Sequence, residues 1–109
     1  NSEAQFTVGN AYKAGVAVLF QRDWRQAATW YERAAEQGHA RARYNLGTLY
    51  IDGGNGLDRD LFTAYRLILG SGVGTGDTQA LLAALLQQMS TDELQRVKSL
   101  LDDLQGTGQ

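Results

Sequence analysis

One short phrase is written twice in this chain, Phe6-x-x-Gly9-x-x-Tyr12 and Tyr44-x-x-Gly47-x-x-Tyr50, with matching residues 38 positions apart. A fixed period of this size marks stacked supersecondary units, none of which buries its apolar face alone. The period therefore constrains the fold before any local propensity is consulted. It also bears on function, because such stacks usually bind rather than catalyse.

Proline is absent, and the 13 glycines gather chiefly at Gly53 to Gly56 and Gly70 to Gly76, between stretches rich in Ala, Leu, Gln and Arg. That pattern predicts helices separated by glycine turns. Six are expected, in three antiparallel pairs: about 3–14 with 23–37, 40–52 with 59–69, and 78–89 with 91–105. The repeats then span about 3–38, 39–77 and 78–105, with 106–109 as a frayed tail. At 109 residues the chain suits a single domain over 1–109, burying roughly two-thirds of its unfolded surface.

The pairing logic shows in Trp24, Ala27, Ala28, Tyr31, Ala34 and Ala35, an apolar stripe in which small residues admit a neighbouring helix and large ones fill the space beside it. Gly9 and Gly47 would each cost about 1 kcal/mol against alanine inside a helix, so close helix contact is the reason expected for them. Ser90 and Glu93 stand at capping-box spacing. They open a last helix with Leu94, Val97, Leu100, Leu101 and Leu104 on one face and Gln95, Arg96, Lys98, Ser99, Asp102 and Asp103 outside, as a closing element requires.

Ten basic and twelve acidic residues leave a net charge of −2, with a small acidic excess only near the C-terminus. Nucleic acid normally demands a basic face and is not an expected partner. Without cysteine there is no disulfide or thiolate metal site, and the redox compartment stays open. The longest apolar stretches, Val16 to Phe20 and Ala80 to Leu86, fall far short of the ~20 residues of a spanning helix. The chain begins at Asn1 with no signal-peptide pattern, which fits a mature product or an excised domain.

Catalytic and metal chemistry find little support. The Gly70 to Gly76 run lacks the Gly-Lys-Ser/Thr of a P-loop and the preceding strand of a dinucleotide fingerprint, so it reads as an inter-helix loop, as does Gly53-Gly54-Asn55-Gly56. His39 is the only histidine and reads as a turn residue, since catalytic zinc needs three protein ligands. Asp58 with Asp60 and Asp102 with Asp103 read as solvated acids at helix ends. No enzyme, cofactor or metal is expected.

The run Ala27-x-x-Trp30-Tyr31-x-x-Ala34-Ala35-Glu36-Gln37-Gly38-His39-Ala40, followed by Ala42-x-Tyr44-Asn45-Leu46-Gly47-x-Leu49-Tyr50, closely resembles the Sel-one-like repeat (SLR) family. Asp23 and Asp60, each four residues before an alanine, fit the same pattern. Tetratricopeptide repeats are the nearest relatives, but their 34-residue period is shorter. The resemblance implies an all-α solenoid of about three hairpins whose curved surface holds protein or peptide partners, and it slightly favours the periplasm or cell envelope over the cytoplasm. Two departures stand out. An apolar insertion, Val16 to Phe20, is expected to pack on the stack, and the second repeat replaces the family's Ala-Ala-Glu-Gln-Gly with Gly70 to Asp77, which predicts a helix ending about two turns early before a flexible loop.

The remaining candidate is a binding stripe. Arg41, Asn45, Thr48 and Asp52 follow steps of four, three and four, and Glu3, Thr7 and Asn10 stand 38 residues before the first three. In solenoids of this resemblance the first helix of each pair lines the concave surface, so these residues would lie side by side there and bond an extended peptide. The same spacing also suits the solvated face of an amphipathic helix. The expected role is a protein-interaction adaptor or scaffold. Alternatives are an immunity or inhibitor protein against a toxin, an envelope domain contacting peptidoglycan through exposed Trp30 and Tyr65, or a segment of a longer scaffold, signalled by apolar residues left exposed among Ala4, Phe6, Val8 and Tyr12.

Overall fold

The computed structural model describes residues 1–16 and 21–106. They form six helices: α1 (Ser2–Ala14), α2 (Trp24–Glu36), α3 (Ala40–Asp52), α4 (Leu61–Gly70), α5 (Gly76–Gln88) and α6 (Thr91–Gly106). The molecule is elongated, 50 × 28 × 22 Å. Most of the insertion read at Val16 to Phe20 lies outside the described residues, while Val16 itself is exposed.

The first two hairpins repeat each other down to their caps. Asp23 and Asp60 adopt nearly the same extended backbone, and each carboxylate accepts the N–H three residues on, from Gln26 and Thr63. Each also donates its own N–H back to the preceding helix, Asp23 to the Tyr12 carbonyl at 3.0 Å and Asp60 to the Tyr50 carbonyl at 2.9 Å. A capping side chain satisfies one orphan N–H and fixes where the helix begins. The Gly53 to Gly56 loop folds into a tight turn with one isolated bridge between Gly54 and Leu57. Asn55 and Gly56 take positive φ there, and the Asn55 carbonyl accepts the first N–H of α2 from Trp24, tying the second repeat to the first.

Gly9 and Gly47 sit where the sequence placed close approach. A Cβ on Gly9 would lie 2.7 Å from the Tyr31 ring, and one on Gly47 would lie 2.6 Å from Cγ1 of Ile68 and 3.1 Å from the Ala64 carbonyl oxygen. The core follows in two adjoining clusters. The first joins Phe6, Ala27, Ala28, Tyr31, Ala34, Ala42, Leu46 and Leu49, and the second joins Leu61, Ala64, Tyr65, Ile68, Leu82, Leu85, Met89 and Val97. Tyr50 packs on both.

Three expectations need adjustment. α4 is three residues shorter than α2, 10 against 13, so it stops about one turn early rather than two. Ser71 takes the cap, and its buried hydroxyl donates to the Ile68 carbonyl at 2.7 Å. α5 starts earlier than residue 78, because Thr75 serves as N-cap to Thr78. The third hairpin is wider than the others: α5 and α6 each approach α4 more closely than they approach one another. Its interior residues are leucine, valine and methionine, whereas glycine and alanine bring the earlier pairs together.

Ser90 and Glu93 form the capping box reciprocally, at 3.2 and 2.9 Å. The leucine stripe of α6 is only partly used. Val97 is buried and Leu101 packs on the second cluster, while Leu94 is exposed and Leu104 is 62% exposed. α6 has 16 residues against the 10 of α4.

Candidate functional site

Residues from α1 and α3 meet around one tyrosine. Tyr31 rises from α2 between them, and its hydroxyl donates to Oδ1 of Asn10 while also hydrogen-bonding Asn45. A buried tyrosine needs such a partner for its polar tip. Asn10 and Asn45, predicted from separate repeats, are thus brought together. Part of their hydrogen-bonding capacity serves the fold.

Burial raises the Tyr31 phenol above its ordinary value near 10.0, and the Asn45 hydrogen bond opposes the rise. Tyr50 is shifted the same way by burial, then by the charges of Glu32 and Asp60, with Arg66 opposing. The unfolded chain therefore releases these protons first. Stability present below pH 10 is lost as pH climbs from there toward the folded-state values. Thermal midpoints measured between about pH 8 and 11 are expected to fall above pH 10, and to fall less in Tyr31→Phe.

Glu3 lies at the opposite end of the same face. His39 caps α3 by accepting the Ala42 N–H on Nδ1 at 3.1 Å, which leaves Nε2 to donate to Glu3 at 2.9 Å. Its ring stacks on Phe6 with centroids 4.6 Å apart. The turn reading of His39 thus gains a mechanism. Among the described residues, no three His, Cys, Asp or Glu side chains gather as metal ligands would.

Arg41 and Asn45 line a groove of about 380 Å³ with Tyr44, Val73, Thr75, Asp77 and Thr78. Its far wall comes from the glycine loop and the start of α5, which spacing along α3 does not reveal. The other predicted residues stand apart. Thr7 is exposed and turns its hydroxyl to the Glu3 carbonyl, Thr48 turns its own to the Asn45 carbonyl, and Asp52 is exposed at the end of α3, outside the groove lining. Of the two aromatics considered for glycan contact, Tyr65 is 6% exposed, and half-buried Trp30 carries the Arg33 guanidinium 4.8 Å over its ring.

Paired helices joined through glycine contacts and repeated caps define an α-solenoid of helix hairpins. The fold is the SLR fold: a solved structure of a protective antigen present in uropathogenic Escherichia coli strains, displaying an SLR fold, is similar with a TM-score of 0.75 and 29% identity. The likeness covers 92% of this chain and 21% of that one, so the chain spans about one-fifth of the length of the protein it matches. No protein-family model and no curated protein matches the sequence. Folds of this class generally serve as repeat scaffolds for protein interactions. Among the described residues, no helix is long and apolar enough to cross a membrane.

Proposed function

We propose that the chain is a non-catalytic interaction module that holds an extended protein segment along the face of α1 and α3, ending in the groove beside α5. The observation that supports this most is that Arg41 and Asn45, two residues of the predicted stripe, line a groove whose opposite wall is built by the glycine loop and the start of α5. Rigid helices fix one wall. Polar side chains there can bond a partner's backbone while Tyr44 and Val73 offer apolar contact, the combination that gives a binding groove both affinity and orientation. Tyr65 is buried, so the glycan reading loses one of its two aromatics.

Arg41 is exposed and can be reversed in charge with little cost to folding. In a pull-down from source-cell lysate, Arg41→Glu is expected to lose at least about nine-tenths of any specifically retained protein, a change worth ~1.4 kcal/mol or more. Lys98→Glu on α6 serves as the control and should retain it. Equal retention by both variants would remove the groove from the proposal.

A further inference from the structure

Moving α3 back by one 38-residue period places Ala42, Leu46 and Leu49 on Ala4, Val8 and Ala11. In α3 these three belong to the core cluster shared with α2, and they are 0%, 3% and 1% exposed. On α1 Ala4 is exposed, and Val8 and Ala11 are only half-buried. The caps keep the same register, since Asn1 accepts the Ala4 N–H as His39 accepts that of Ala42. A terminal helix built to face water would be polar on this side. Here the side chains are alanine, valine and alanine.

We propose that this outer face of α1 is a docking face for the second helix of a preceding hairpin of the same repeat type, carried in the same polypeptide ahead of Asn1. The internal interface shows what fits. The equivalent face of α3 is covered by α2, whose Ala28, Ala34 and Ala35 allow close approach and whose Ala35 carbonyl accepts from Arg43 at 3.4 Å. A second copy of the chain fits poorly, because the free second-type helix at the other end is α6. That helix has no alanine and carries Arg96, Lys98, Asp102 and Asp103 on exposed positions. The similar SLR structure is long enough for such a stack, as this chain matches 21% of it.

The test duplicates residues 1–38 directly ahead of Asn1, so that Gly38 precedes Asn1 as it precedes His39. The extended chain is expected to unfold in one transition with a midpoint roughly 5–10 °C above that of the 109-residue chain. Val8→Glu at the new junction should abolish that gain, while moving the midpoint of the 109-residue chain by less than about 2 °C. An unchanged midpoint, or a separate transition for the added hairpin, would overturn the proposal. Sedimentation of the 109-residue chain over about a hundredfold concentration range should show a monomer. A dimer abolished by Val8→Glu would assign the face to a second copy and overturn it equally.

Discussion

Tyr31→Ala is expected to lower stability by about 4 kcal/mol, a large share of the roughly 5–15 kcal/mol that a domain usually possesses. Tyr31 is 0% exposed and joins three helices. Its ring fills the space opposite Gly9 and lies 5.8 Å from the Phe6 ring, while its hydroxyl meets Asn10 and Asn45. Truncation leaves a ring-sized cavity beside a glycine, which has no side chain with which to fill it. Tyr31→Phe keeps the ring and gives up only the hydroxyl bonds, at about 1–2 kcal/mol, because Asn10 and Asn45 are half-buried and water can reach them. Urea unfolding followed by circular dichroism measures both. Equal losses in the two variants would mean that the polar contact, rather than the ring, holds the repeats together.

The same residue shows where sequence reading stops. The 38-residue period, the glycine contacts and the Ser90 capping box were legible because each is a local or periodic signal, and each is found in place. Asp23 and Asp60 read only as part of the repeat pattern, and their capping role emerges from the fold. Tyr31 read only as bulk in an alanine stripe. Its hydroxyl, which must find a partner once buried, was the available signal for the Asn10 and Asn45 pairing. The groove beside α3 was half legible. Arg41 and Asn45 share a helix face by spacing, whereas Val73, Thr75, Asp77 and Thr78 arrive across a glycine loop by tertiary packing alone. The exposure of Leu94 and Leu104 was hidden for a related reason: it depends on what the rest of the fold offers α6 to pack against.

Gly47→Ala separates helix propensity from packing, because the two predict opposite signs. Propensity alone gives a gain of about 1 kcal/mol for alanine inside a helix. The added methyl group would instead sit 2.6 Å from Cγ1 of Ile68 and 3.1 Å from the Ala64 carbonyl oxygen. Neither neighbour yields easily, since Ile68 is 1% exposed and the Ala64 oxygen belongs to the backbone of α4. Overpacking of this kind costs about 1–3 kcal/mol, and a net loss of about 2 is expected at this site. If the collision is responsible, removing Ile68 beyond Cβ relieves part of it. The Gly47→Ala, Ile68→Ala double variant should then lose at least about 0.5 kcal/mol less than the sum of the single losses. Strict additivity would locate the cost elsewhere, and a stabilised Gly47→Ala would mean that α3 and α4 can separate freely. Separation would also displace Arg41 and Asn45, which share α3 with Gly47, from the groove wall built by α5.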